Sequence, residues 1–458
     1  MTIPASIFRQ YDIRGTVGDQ LTAELARAVG QALATLARER LRRSPRIVVG
    51  RDNRPSGPAL ADGVAEGIVA AGGAVVLVGE LPTPAMYFAT HTLDVDGGVQ
   101  VTGSHNPPAF NGFKMVLAGA AVHGDEIQLL RRLITDGKLL IHPGGVLTAD
   151  RSVLAAYRAA IVQRHAPLAR PVKVVVDCGN GVTSLVAIET LRDLGAEVVP
   201  LFAESDGTFP NHHPDPTVPE NLRDIQAAVK REQAELGIAF DGDGDRIGAV
   251  DERGRMVFGD QLLVLFGRDL VHRMGAGHSV IFDVKCSAVL PLELRRVGLT
   301  PVMWKTGHSL IKEKMKETGA PLAGEMSGHM FFGGDWFGFD DALFAAARLL
   351  HYVAREGGPL SRLLSDLPAT VTTPEIRVDC PDDQKFAVVN KAAKHFAARY
   401  EVSTLDGVRI TFPDGWGLLR ASNTQPVLVM RFEAGSQAAL VAYRVEVEAW
   451  LAQNRTWS

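Results

Sequence analysis

Short runs of β-branched and apolar residues, bounded by turn formers, recur along the chain in a fixed order. Residues 46–52 (RIVVGRD), 172–181 (VKVVVDCGNG) and 279–287 (SVIFDVKCS) each read as a buried strand. Each is followed by a stretch with helical character and then by a second strand introduced by glycine, at 72–79, 194–201 and 297–304. A third strand-like segment closes each unit and runs into an unusual loop, at 97–107, 236–246 and 320–329. Strand, helix, strand in this order predicts right-handed crossovers and a largely parallel core. We read three diverged copies of one α/β module, with ligands beyond the carboxyl ends of the strands, where the unusual loops would sit.

After Leu367 the pattern changes. Residues 369–383 alternate as a strand and end in a Pro-Asp-Asp turn, 384–400 read as a helix, three strands follow (GVRITF, GWGLLRAS, PVLVMRFEA), and 436–454 read as a closing helix. That is a compact α+β unit. The expected domains are 1–150, 151–253, 254–367 and 368–458, with a single linker near Leu367 suited to hinge motion.

Composition narrows the function classes. A chain of 458 residues, 46% hydrophobic and 22% charged, with 46 Gly and 25 Pro, excludes collagen, a disordered tail and a disulfide-stapled miniprotein. Lys+Arg total 48 against 52 Asp+Glu, a net charge of -4, so no global positive field draws in nucleic acid. Any anionic ligand must be held by a local basic cluster. The three cysteines (Cys178, Cys286, Cys380) are too few and too scattered for a disulfide framework or a zinc site. With no secretory leader at the start and no apolar run of membrane-spanning length, a soluble protein of the reducing cytoplasm is expected.

Four loops carry chemistry. TGSHNP (102–107) places Ser104 between Gly103 and His105, where the backbone permits close approach; it is a candidate covalent nucleophile, or a turn-capping serine. DGDGDR (241–246) sets Asp241, Asp243 and Asp245 around two glycines directly after an apolar strand. Three converging carboxylates repel unless a cation fills the gap, and Mg²⁺ meeting a phosphate suits the set, with Arg246 placed to grip the same phosphate. An EF-hand would need glycine where Arg246 stands. GEMSGH (324–329) offers Glu325, Ser327 and His329 on an extended strip suited to sugar hydroxyls, or a solvated loop. RASNT (420–424) puts a cation, small hydroxyls and an Asn on a tight turn, an anion nest or a plain Asx turn. Together the loops supply a hydroxyl nucleophile, a metal trio, a polyol reader and a phosphate nest, the parts a phosphosugar enzyme needs.

In this order, and with FRQYDIRG near the start, the motifs resemble the α-D-phosphohexomutase superfamily over essentially the whole chain. Within it the chain is most similar to the bacterial phosphomannomutase/phosphoglucomutase group, of which GEMSGH is typical. The resemblance implies four domains around a central cleft: three similar mixed-sheet α/β domains and a C-terminal α+β domain of the TATA-box-binding-protein-like type. It implies interconversion of hexose 1- and 6-phosphates through a hexose 1,6-bisphosphate. Ser104 would be phosphorylated in the resting enzyme, and Mg²⁺ would be held by Asp241, Asp243, Asp245 and a phosphoserine oxygen. Glu325 and Ser327 would meet sugar hydroxyls, with His329 close by; Arg420, Ser422, Asn423 and Thr424 would bind the non-transferred phosphate. Tyr11, Arg14, Lys114, Lys285 and His308 match further active-site positions. Arg14, Lys114 and His308 are the better candidates for proton handling and transition-state charge, with His105 beside the nucleophile. The implied partners are small phosphosugars, with no nucleic acid and no membrane, and a monomer. A site blind to C2 would accept both glucose and mannose phosphates. A metal-dependent sugar-phosphate phosphatase, a phosphoglucosamine mutase and a non-catalytic sugar-phosphate binder are the rival readings.

Overall fold

The computed structural model describes residues 4–423 and 425–455. Its first three units share one topology. Arg46–Arg51 runs parallel to Ala74–Glu80 on one side and to Gly97–Val101 on the other. Lys173–Asp177 lies in the same way between Glu197–Leu201 and Leu236–Phe240, and Ser279–Asp283 between Thr300–Trp304 and Leu322–Gly324. The third strand of each unit then folds back into an antiparallel fourth: Phe110–Leu117, Ile247–Asp251 and Met330–Phe332. These fourth strands make the sheets mixed. They also place TGSHNP, DGDGDR and GEMSGH at the same turn, between strands three and four, in all three units.

The apolar runs are nearly continuous because both sheet faces are covered. Val48, Val174, Val176, Val280 and Phe282 face one core shared by the first three units. Their neighbours Ile47 and Val49, Val175, and Ile281 face three separate outer cores. Strand side chains alternate with period two, so a one-residue slip would exchange the shared core for the outer one and is strongly disfavoured.

The C-terminal unit is an antiparallel sheet backed by helices Lys385–Ala397 and Gln437–Asn454, with its own core around Phe396, Leu419, Phe432 and Trp450. Arg420 and Ala421 of the RASNT segment end its strand Gly415–Ala421, which pairs with Val427–Ala434, and Ser422 and Asn423 follow directly. Against the third unit it packs Trp416 and Leu418 on Val284. There Arg409 lies 3.7 Å over the Trp416 ring and donates to the Cys286 carbonyl at 3.0 Å. All three cysteines are buried and unbridged. Among the described residues no helix is long and apolar enough to cross a membrane.

Candidate active site

Ser104 is buried, with φ at +50°, a left-handed conformation that costs a non-glycine residue roughly 1–3 kcal/mol unless its surroundings impose it. Its Oγ donates to Asp241 Oδ2 at 3.0 Å and lies 3.1 Å from His105 Nδ1. Burial pushes the His105 imidazole well below its ordinary value, and Arg246, Arg14 and Lys114 push it further, so it meets Ser104 neutral. Arg14 closes the loop's outer side, Nη1 reaching Asn106 Oδ1 at 3.5 Å.

Asp241, Asp243 and Asp245 bring a carboxylate oxygen each within 4.8 Å of one another. The loop is pre-shaped: Asp241 Oδ1 accepts from the backbone amides of Gly244, Asp245 and Arg246 at 3.0, 3.0 and 3.1 Å. Lys114 enters from the first unit, its Nζ 2.7 Å from Asp243 Oδ2 and paired also with Asp245. Burial opposes the Asp243 charge, yet the Lys114 ammonium outweighs it and holds this carboxyl well below the usual range. Asp241 goes the other way, raised by burial and by its two neighbouring carboxylates. Asp243 Oδ1 and Asp245 Oδ1 are buried without a hydrogen-bond partner. One ammonium against three carboxylates, two orphaned oxygens and a hydroxyl is a hard oxygen-donor set, which fits a divalent cation.

The sugar-loop residues lie across from the trio. The extended strip expected for GEMSGH is instead a tight turn, in which Glu325 N donates to His329 O at 2.9 Å and Gly328 N to Glu325 O at 3.0 Å. The turn is forced by the close approach of the second unit: a Cβ on Gly328 (φ +89°) would stand 2.3 Å from the Ile247 carbonyl oxygen. Glu325 accepts from Gly307 N at 2.8 Å and from Ser327 Oγ at 3.0 Å. His329 faces away from them: Arg246 Nε donates to its Nε2 at 3.0 Å, and its Nδ1 lies 3.1 Å from Asp340 and 3.6 Å from Asp245. His308 stacks on His329 at 5.6 Å, and burial and Lys312 keep its imidazole well below the ordinary value.

The phosphate-nest residues close the fourth side. Arg420 pairs with Asp406 at 3.0 Å, and Asn423 Nδ2 donates to Tyr11 Oη at 2.7 Å. Tyr11, pushed up to about 12 by burial, stays a phenol and donates to the Thr306 carbonyl at 2.6 Å, joining the first, third and fourth units. Ser422 Oγ accepts from Gln425 N at 3.1 Å; Thr424 lies outside the described residues. Lys285 pairs with Glu375 at 3.1 Å. Contacts from Ser104 to Asp241, Arg246 to His329 and Tyr11 to Asn423 therefore bring all four loops to one cleft.

Sequence reasoning missed several residues here. Asp340 is fully buried between His329, His308 and Lys312; Asp406 supports Arg420; Thr83 Oγ1 donates to Asp243 at 2.6 Å. Asp52 and Arg54 grip the serine loop from below. An Asp-x-Arg closing a strand was the only available signal for the last pair.

The fold and this cleft define a four-unit enzyme class, and comparison with known proteins identifies it. Family models described as phosphoglucomutase/phosphomannomutase α/β/α domains I, II and III match residues 5–139, 155–254 and 258–371, and the C-terminal-domain model matches 375–449. A Pseudomonas aeruginosa phosphomannomutase/phosphoglucomutase is 50% identical over 96% of this chain and 94% of its own length. A Neisseria gonorrhoeae phosphoglucomutase is 45% identical over 99% and 98%. A phosphoglucomutase/phosphomannomutase family protein from Burkholderia thailandensis superposes with a TM-score of 0.91 at 45% identity, covering 99% of this chain and 98% of that one. The chain belongs to the phosphoglucomutase/phosphomannomutase family, within the α-D-phosphohexomutase superfamily. A relative named a probable phosphoglucosamine mutase, from Methanopyrus kandleri, stands further off at 34% identity.

Proposed function

We propose that this enzyme interconverts hexose 1-phosphates and hexose 6-phosphates of glucose and mannose, carrying the phosphoryl group on Ser104 through a hexose 1,6-bisphosphate. The observation that carries the reading is the Ser104 Oγ, strained toward the acidic trio 3.0 Å from Asp241, in the same cleft as the Arg420 loop.

Arg420, Ser422, Asn423 and Thr424 hold the phosphate that is not transferred, while Glu325 and Ser327 accept from and donate to adjacent sugar hydroxyls. This leaves the free hydroxyl facing Ser104. The phosphoserine P–Oγ bond breaks as a bond forms from the sugar oxygen to phosphorus, and the hydroxyl proton passes to His308, which stacks on His329. His308 is suited to this because it is neutral; Lys114 is held as an ammonium by Asp243 and Asp245 and instead neutralises charge on the moving group. A divalent cation on Asp241, Asp243, Asp245 and a phosphoserine oxygen, magnesium in this reading, supplies further charge stabilisation when bound. Arg246 and Arg14 flank the same point. The bisphosphate then turns over, so the nest receives either end of the sugar, and recognition rests on phosphate and the 3- and 4-hydroxyls rather than on C2. The reading keeps unit boundaries near residues 150, 253 and 367, a monomer and a cytoplasmic setting.

Intact-mass measurement after incubation with glucose 1,6-bisphosphate tests it. One phosphoryl group should appear on the wild-type chain and none on Ser104→Ala. A wild-type chain that carries no phosphoryl group either before or after incubation contradicts the proposal.

A further inference from the structure

Arg54 is fully buried and spends all five of its N–H donors at one place. Nε donates to Asp52 Oδ2 at 3.0 Å; Nη1 to the carbonyls of Pro107 and Phe110 at 2.6 and 3.0 Å; Nη2 to the carbonyls of Ser104 and Asn106 at 2.7 and 2.6 Å. Three of these five acceptors belong to the backbone of the serine loop, and a fourth, Phe110, opens the strand that follows it. Asp52 holds the same loop from the other end: it accepts from Thr102 Oγ1 at 2.7 Å and from Gly103 N at 3.2 Å, while Thr102 Oγ1 accepts from Ser104 N at 2.8 Å. The amide and the carbonyl of Ser104 are thus both tied down, by Thr102 and by Arg54. Gly103 is required above the guanidinium, since a Cβ there would lie 2.5 Å from Arg54 Cζ.

We propose that Arg54, braced by Asp52, is a positioning residue that imposes the left-handed conformation of Ser104 and so aims Oγ at the acidic trio. It touches neither the substrate nor the phosphoryl group. An isolated serine would leave φ near +50° for a more favourable basin, and only a network fixing both its peptide groups prevents this. Lysine cannot replace Arg54, because three donors on a point charge cannot serve five acceptors arranged around a planar fork. The inference rests on Ser104 being the phosphoryl carrier.

The test uses the full chain as wild type, Arg54→Lys and the near-isosteric Thr102→Val, which keeps the buried Arg54–Asp52 pair. Thr102 Oγ1 also lies 3.2 Å from Asp243 Oδ2, so the magnesium shift of this variant's melt, which should equal the wild type's, separates loop positioning from a damaged trio. Thermal melts establish folding; intact mass after glucose 1,6-bisphosphate gives the phosphoryl load; phosphorus NMR reports the environment of the phosphoserine; steady-state assays separate kcat from KM. Folded Arg54→Lys should take up phosphate more slowly, shift the phosphoserine resonance and lose about a hundredfold in kcat with KM unchanged. Thr102→Val should move the same three readouts in the same direction by less. Should Arg54→Lys fail to fold, Thr102→Val alone decides. Variants with normal phosphate uptake, resonance and kcat beside a labelled wild type would overturn the positioning role while leaving Ser104 as carrier. A rise in KM at constant kcat would likewise overturn it. A wild type that carries no phosphoryl group before or after the bisphosphate would remove both.

Discussion

Replacing Lys114 by methionine tests how the acidic trio tolerates its own charge. Lys114 is 3% exposed and its partners Asp243 and Asp245 are fully buried, so solvent screens these pairs little. At 2.7 Å the Lys114–Asp243 attraction is about 6 kcal/mol for an effective dielectric near 20. Part of this offsets the desolvation of the charges, and losing one partner of a buried pair costs about 3–5 kcal/mol. For a unit of roughly 150–250 residues, about 2–4 °C per kcal/mol, the metal-free variant should melt about 6–20 °C lower. A divalent cation at about a hundredfold over its Kd stabilises the wild type by about 2.7 kcal/mol. It should stabilise Lys114→Met by more, since no ammonium then competes for Asp243 and Asp245. The assay is a pair of melts, with chelator and with magnesium. Equal magnesium shifts in the two proteins, or no loss in the metal-free variant, would refute the claim that lysine and cation share one charge-balancing task.

Arg420→Ala should raise KM for hexose 1-phosphate about 10- to 100-fold, as expected for one lost charge-assisted contact of about 1.5–3 kcal/mol; a large fall in kcat at constant KM would contradict its place in the nest. Gly307→Ala puts a Cβ 2.5 Å from Tyr11 Cζ at a backbone φ of +133°, and should cost on the order of 1–3 kcal/mol in melts and weaken substrate binding. His165 is buried between the second and third units, and burial lowers it to about 3. Its folded-state value lies below its unfolded one, so the stability it contributes is present above pH 6.5 and is lost as pH falls toward 3. Chemical denaturation should show about 1.4 kcal/mol per pH unit from this group between pH 6 and 4, absent in His165→Asn.

The four loops are legible in the sequence because each is local: six residues of DGDGDR carry three ligands, and the turn between strands three and four imposes their convergence. The nine strands of the repeated units are legible for a similar reason, since their apolar runs are short and bounded by glycine. The fourth strands are not separable by eye, because Phe110–Leu117 mixes Asn, Gly and Lys into its apolar pattern, and Lys114 points into the site. Arg54, Asp340 and Asp406 escape detection because their partners are distant in sequence; Arg54 acquires meaning only when the fold brings residues 104–110 onto it. The turn in GEMSGH likewise depends on Ile247, a residue of another unit.

The most direct test of the central claim follows a hexose 1-phosphate by NMR in the presence of enzyme, magnesium and a trace of hexose 1,6-bisphosphate. The account predicts accumulation of hexose 6-phosphate from both the glucose and the mannose substrates, with total sugar phosphate conserved. Release of inorganic phosphate without isomerised sugar, or no turnover of either substrate, would contradict it.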